Sequence, residues 1–232
     1  MECFYAEHID SSMNEIYLSL EESKHTKSLR INIDDELLVT NGKGLTAKCK
    51  LSKISKEGNL LSIIEFYENF NELNHHITLA IGMIDNNDRF EFIIEKATEL
   101  GVVEIVPIIT HYSSKTKIRH DRMLAKSIAA MKQSKRSVLP DFTEPIKLSH
   151  IVEKISNFDT VILADENGKN CINVKDKKNI LILCGPEGGF SLDEIGEINN
   201  NQNVQNIKLS KTRLRTETAA ISAISLIVSK LI

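Results

Sequence analysis

From residue 88 onward the chain alternates between short apolar runs and stretches of helical periodicity, and this limits its possible folds more than any other feature. Phe90, Ile93, Ile94, Ala97 and Leu100 share one helical face, with Asp88 and Glu91 expected as a capping box and Gly101 as the C′ residue. Residues 102–109 read as a buried strand, and residues 121–136 as a second helix with Leu124, Ile128 and Met131 inward. Strands are expected again at 160–164 and 180–184, and helices near 192–199 and 216–231. Strands that alternate with helices predict a parallel sheet covered by helices.

The first 70 residues follow a different rule. Ile16, Leu18 and Leu20 alternate with polar neighbours, as a half-buried strand requires. Asn41-Gly42-Lys43-Gly44 marks a turn between strands at 36–40 and 45–54, and Glu57-Gly58-Asn59 precedes an apolar run at 60–66. One short helix is expected around 21–29. The polar stretch 68–76 then separates a small β module, residues 1–70, from an α/β domain, residues 71–232. A chain of 232 residues has room for two modest domains.

Composition excludes several classes. Hydrophobic residues make up 41% and charged residues 26%, which suits a globular protein and not a disordered one. No apolar run approaches the ~18–20 residues of a membrane span. The opening ten residues lack a basic n-region and an apolar h-region, so no secretory signal is expected and the cytoplasm is the expected compartment. Cys3, Cys49, Cys171 and Cys184 form no CxxC pair and have no histidine at ligand spacing, so reduced thiols and no metal are expected. His75-His76 beside Asn74 reads as solvated linker.

Three segments could carry chemistry. The net charge is −3, so a polyanion-binding surface requires local segregation of charge. Residues 115–136 provide it, with eight basic residues against Asp121 alone. Such a cluster can track a phosphate backbone, although a solvated helix face explains it equally well. More specific is Gly185-Pro186-Glu187-Gly188-Gly189-Phe190-Ser191, which follows an apolar strand and opens a helix capped by Ser191 and Glu194. It lacks GK[ST] and GxGxxG, so it is no phosphate loop. Its place at the carboxyl end of a strand is where open α/β sheets bind ligands. In the third segment, Lys211, Arg213 and Arg215 alternate and would share one side of an extended backbone, ahead of a helix with Thr216 as N-cap.

The motif GPEGGFS, followed some twenty residues later by Leu209-Ser210-Lys211-Thr212-Arg213-Leu214-Arg215-Thr216-Glu217-Thr218-Ala219, resembles the small-subunit (16S) ribosomal RNA uracil-N3 methyltransferases of the SPOUT superfamily. Residues 95–102, Pro107, residues 131–136 and Leu139-Pro140 extend the resemblance. Phe4-Tyr5-Ala6, His25, Leu29-Arg30 and Gly42 are similar to the family's PUA-like β-barrel RNA-binding domain. The resemblance implies a knotted C-terminal domain (a deep trefoil), S-adenosyl-L-methionine as methyl donor, and a homodimer acting on ribosomal RNA or an assembled small ribosomal subunit. It assigns the cofactor to Leu163, Ala164 and Asp165, to Gly185, Pro186, Glu187, Gly188 and Gly189, and to Leu209, Ser210 and Leu214. RNA contacts are expected from His25, Arg30, Arg89, Lys115, Arg122, Gln133, Arg136 and Lys211. The family usually has a lysine where this chain has Asp85, and a glycine where it has Ser210.

Uracil N3 is a poor nucleophile until its proton leaves, so a site must stabilise the anion that develops over O2 and O4. Arg213 and Arg215 are the candidates, one for that charge and the other for phosphate. Glu187 and Glu217 are expected to be structural, leaving solvent or RNA to take the proton. Two alternatives remain at this stage: methylation of a ribose 2′-hydroxyl, and a non-catalytic RNA-binding protein.

Overall fold

Period-two alternation builds the first of two units, which comprises Met1–Glu72 and Ile128–Leu139 in a computed structural model that describes residues 1–169 and 171–232. Its elements are β1 (Cys3–Tyr5), β2 (Glu15–Tyr17), α1 (Leu20–Ser28), β3 (Glu36–Thr40), β4 (Leu45–Lys53) and β5 (Leu60–Glu68). The strands form one sheet in the order β1-β3-β4-β5-β2, antiparallel apart from the β1–β3 pair. Leu37 and Val39 of β3 and Ala47, Cys49 and Leu51 of β4 point the same way, packing on Phe4, Ile16 and Leu61. Leu20 departs from the expected alternation. It is exposed, because the Ser19 hydroxyl accepts the Glu22 N–H and begins α1 there.

The stretch 68–76 is not simply a linker. The Glu72 carboxylate is buried and accepts hydrogen bonds from Arg136 Nη2 at 2.6 Å, Ser137 N at 2.7 Å and Val138 N at 2.8 Å. Arg136 is only 3% exposed, so its guanidinium secures this unit and is not presented to solvent. The expected RNA contact at Arg136 is corrected on that ground.

The second unit comprises Leu73–Ser127 and Pro140–Ile232. It contains β6 (His76–Gly82), α2 (Asn87–Glu99), β7 (Glu104–Ile109), most of α3 (His120–Ser134), β8 (Asp141–Phe142), β9 (Ile146–Lys147) and α4 (Leu148–Val152). These are followed by β10 (Thr160–Lys169), β11 (Asn179–Cys184), α5 (Leu192–Asn199), β12 (Val204–Ile207) and α6 (Thr216–Val228). The sheet is parallel, in the order β12-β10-β11-β6-β7-β8, with β9 also pairing to β7. Ile180, Ile182 and Cys184 of β11 lie with Ile77, Leu79 and Ile81 of β6 in the core formed with α2 and α6. Leu181 and Leu183 lie in the opposite core with Leu148, Ile151 and Ile198 of α4 and α5. A strand buried on both faces reads as a continuous apolar run, as β11 does. Among the described residues no helix is long and apolar enough to cross a membrane.

Several expected element ends shift by a residue or two. Asn86 caps α2 by accepting the Arg89 N–H at 3.0 Å, so Asp88 is not the cap; buried Glu91 instead binds Arg122 Nε at 2.6 Å. Arg215 occupies the N-cap position of α6, and Thr216 is its first helical residue. Leu124 is exposed, and the inward side chains of α3 include Met123 and Met131. Strands β6 and β12 were not foreseen, and His76 begins β6. Cys3, Cys49 and Cys184 are buried free thiols; Cys171 is free and exposed.

Candidate active site

The middle of β10 and the segments that follow β11 and β12 together line a cavity of ≈ 450 Å³. Leu163, Ala164 and Asp165 line it from β10. The Asp165 carboxylate accepts the Asn167 N–H at 2.9 Å and so turns the chain at that edge. Gly185, Pro186, Glu187, Gly188 and Gly189 line it from the loop after β11. Gly189 adopts φ +73°, a left-handed conformation that suits glycine, and its N–H closes the turn onto the Pro186 carbonyl at 2.9 Å. A Cβ on Gly82, the last residue of β6, would lie 2.3 Å from Pro186 N, so the loop can rest on β6 only if that position is glycine. Ser191 and Glu194 form the expected capping box and launch α5.

Leu209, Ser210 and Leu214 line the cavity from the segment after β12. All eleven residues assigned to the cofactor therefore surround one space. The Ser210 hydroxyl accepts the Thr212 N–H at 3.1 Å and bends the chain there. That bend breaks the alternation expected of Lys211, Arg213 and Arg215. Only Arg213 lines the cavity, with Nη2 donating to the Glu187 carbonyl at 3.2 Å and Nε 3.8 Å from the Glu166 carboxylate. Arg215 and Lys211 are exposed and lie outside the lining. The single row of three cations is thus corrected to one arginine at the cavity.

Arg89, expected to contact RNA, is committed elsewhere. Its Nη1 lies 3.1 Å from Glu187 Oε1 and its Nη2 2.5 Å from Glu217 Oε2. The hydrogen bond from Arg89 holds the Glu217 carboxyl below its usual value, against partial burial that opposes ionisation. Of the other residues expected to meet RNA, Lys115 donates to the Asp85 carbonyl and to Asn87 Oδ1, and Arg122 binds Glu91. His25, Arg30 and Gln133 are exposed and belong to the first unit, His25 with its ring edge-on to Phe4.

The sequence reasoning missed Phe190, Leu192 and Thr216 as lining residues. Leu192 gave no signal in the sequence: three residues before Ile195 it reads as part of the apolar stripe of α5, and only the fold leaves it 86% exposed. Cys184 also lines the space, but burial raises its thiol to about 12, which leaves it inert as a nucleophile. A cavity of this size, with leucines and Phe190 beside main-chain polar groups, suits a ligand that is apolar on one part and hydrogen-bonding on another. An adenosyl group has that character. Among the described residues no group of His, Cys, Asp and Glu could hold a metal ion.

The model of the RNA methyltransferase domain matches residues 71–228, which is more than half of the chain. The chain belongs to the RNA methyltransferase family. The RNA methyltransferase PUA domain matches residues 19–64. Among curated members of this RNA methyltransferase family, the ribosomal RNA small subunit methyltransferase E of Mesomycoplasma hyopneumoniae is 32% identical over 85% of this chain and 86% of that protein. The protein of the same name from Aquifex aeolicus is 30% identical over 99% of this chain and all of its own length. The crystal structure of ribosomal RNA small subunit methyltransferase E from Neisseria gonorrhoeae bound to S-adenosyl methionine superposes with a TM-score of 0.87 at 26% identity. That superposition covers 99% of this chain and 98% of the other, so the likeness spans both units of this RNA methyltransferase.

Proposed function

We propose that this RNA methyltransferase transfers a methyl group from S-adenosylmethionine to N3 of a specific uridine in small-subunit ribosomal RNA. The observation that carries the reading is the convergence of β10 and the segments after β11 and β12 on one cavity, with the Arg213 guanidinium at its edge. S-adenosylmethionine supplies an electrophilic methyl on a sulfonium, and transfer to nitrogen is an in-line displacement. The chain's main contribution is then to hold the two partners in line. The residues that would hold the cofactor are Leu163, Ala164 and Asp165, the turn Gly185-Pro186-Glu187-Gly188-Gly189, and Leu209, Ser210 and Leu214. Arg213, fixed to the Glu187 carbonyl, offers its remaining N–H groups to the charge that builds on the uracil oxygens.

The pairing of Glu187 and Glu217 with Arg89 supports structural roles for both carboxylates, with solvent or RNA accepting the N3 proton. The target base must leave its stack to expose N3. The reading includes a homodimer and ribosomal RNA or an assembled small subunit as substrate, as the resemblance implies, and action in the cytoplasm, as the sequence leads one to expect. It also includes the deep trefoil knot. Supporting that is a sheet order in which β12 lies at the edge beside β10 while α6 returns to the side of α2.

Nucleoside mass spectrometry of small-subunit RNA from a strain lacking the gene tests the reaction. The expected result is loss of 3-methyluridine, restored by the wild-type chain, with ribose-methylated nucleosides unchanged. Retention of 3-methyluridine with loss of a 2′-O-methyl nucleoside would move the reaction to ribose. Calorimetry showing no affinity of the folded protein for S-adenosylmethionine would leave an RNA-binding protein.

A further inference from the structure

Arg89 sits in the first turn of α2, three residues after the cap Asn86. A cation there faces the positive end of the helix macrodipole, which disfavours it. Its Nε is also buried without a hydrogen-bond partner among the described residues, a second local disadvantage. Neither feature serves α2. Local rules broken in this way are expected where a residue answers to a site and not to its own element.

What Arg89 does reach is specific. Its two terminal nitrogens divide between Glu187, in the loop after β11, and Glu217, in the first turn of α6. Both elements border the cavity, which Glu187 lines directly and α6 lines through Thr216 and Ala219. The Glu187 carbonyl in turn accepts from Arg213. One guanidinium fork therefore ties the cofactor loop to the start of α6, and through Glu187 to the arginine at the reacting edge. A planar fork can hold two carboxylates at once with fixed geometry, whereas a lysine ammonium acts as a single point charge.

We propose that Arg89 is a positioning residue for methyl transfer: by bridging Glu187 and Glu217 it sets the separation of the loops that grip the cofactor and the placement of Arg213. The inference rests on the methyltransferase reading above. Its role is distinct from RNA contact, because both terminal nitrogens of its guanidinium are spent within the site.

The test uses the full-length chain as wild type, Arg89→Gln, Arg89→Lys and Glu217→Gln. S-adenosylmethionine affinity is measured by calorimetry, single-turnover methyl transfer on small subunits from the deletion strain, and thermal unfolding without ligand. Arg89→Gln is expected to weaken cofactor binding about tenfold and to slow single turnover about 100-fold, the scale of a misplaced catalytic geometry. RNA affinity should change little, and the unfolding temperature should fall only by what the loss of these ion pairs removes. Arg89→Lys should restore only part of both losses, and Glu217→Gln combined with Arg89→Gln should add little to Arg89→Gln alone. A lowered unfolding temperature with cofactor affinity and turnover intact would overturn the proposal and leave a plain ion pair. Weakened RNA binding with normal cofactor affinity would overturn it in favour of RNA contact. Should Arg89→Gln fail to fold, the Arg89→Lys and Glu217→Gln affinities decide in the same way. A wild-type chain that binds no S-adenosylmethionine would instead bring down the methyltransferase reading, and this inference with it.

Discussion

Gly82 shows how a single missing side chain can decide a site. Nothing in its neighbourhood in the sequence marks it, yet any Cβ there would collide with Pro186 N and lift the cofactor loop off β6. Gly82→Ala should cost ~1–3 kcal/mol, as overpacking of a close contact does, and should weaken cofactor affinity as well; denaturant unfolding and calorimetry check the two effects. Glu217 gives a pH prediction. Its carboxyl titrates below the ordinary value of 4.5, first because Arg89 hydrogen-bonds to it. A depressed folded value means that its contribution is fully present above the unfolded value and is lost as the pH falls through the folded one. The wild type should therefore lose stability relative to Glu217→Gln as the pH drops below the ordinary value of 4.5, with the difference constant above it. Unfolding curves at a series of acidic pH values would show a parallel loss in both proteins if the pairing contributed nothing.

At the level of elements, caps and alternation carried most of the legible information. Ser191 and Glu194 announce α5 in the sequence and form a reciprocal cap in the fold, with Glu194 also accepting the His111 N–H at 2.7 Å. Ser191→Ala should cost ~1 kcal/mol of stability, read from the denaturation midpoint, and should loosen the turn ahead of it. Strand β11 and the expected part of β10, residues 160–164, were visible because apolar residues filled them on both faces, whereas the polar continuation of β10 to Lys169 was not. Strand β12 was not, since Val204-Gln205-Asn206-Ile207 pairs at a sheet edge and mixes polar with apolar residues. The Lys211–Arg215 segment misled for a different reason. Alternation assumes an extended backbone, and the Ser210 hydroxyl bends the chain before alternation can take effect. The joint between 68–76 and 128–139 was equally hidden. Glu72→Ala would leave Arg136 buried without its carboxylate and should destabilise the chain by ~3–5 kcal/mol, measured by chemical denaturation.

On the scale of the whole molecule, charge has to be counted after pairing. The eight cations of residues 115–136 suggested a broad phosphate-tracking surface, yet Arg119, Arg122, Lys132 and Arg136 all meet carboxylates. Each phosphate neutralised in single-stranded RNA contributes ~0.7 to the slope of log affinity against log salt, so Lys117, Lys126 and Lys135, which stand outside these pairs and the contacts of Lys115, should together add no more than about 2. Titrations of RNA binding across ionic strengths, repeated with Lys117, Lys126 and Lys135 replaced by glutamine, measure that share; a slope unchanged by the replacement would mean that these lysines track no phosphate. Read alone, the sequence determined the elements with strong periodicity, the helix-covered parallel sheet, and the loops that surround the cavity. It could do so because turns, caps and two-sided burial are written in neighbouring residues. Only the tertiary structure decided that Arg89 pairs with Glu187 and Glu217, that Arg136 is locked to Glu72, and that Arg213 alone of Lys211, Arg213 and Arg215 lines the cavity. Those outcomes depend on which opposite charge lies within a few ångströms across the fold, and Glu187 and Glu217 stand 98 and 128 residues from Arg89 along the chain.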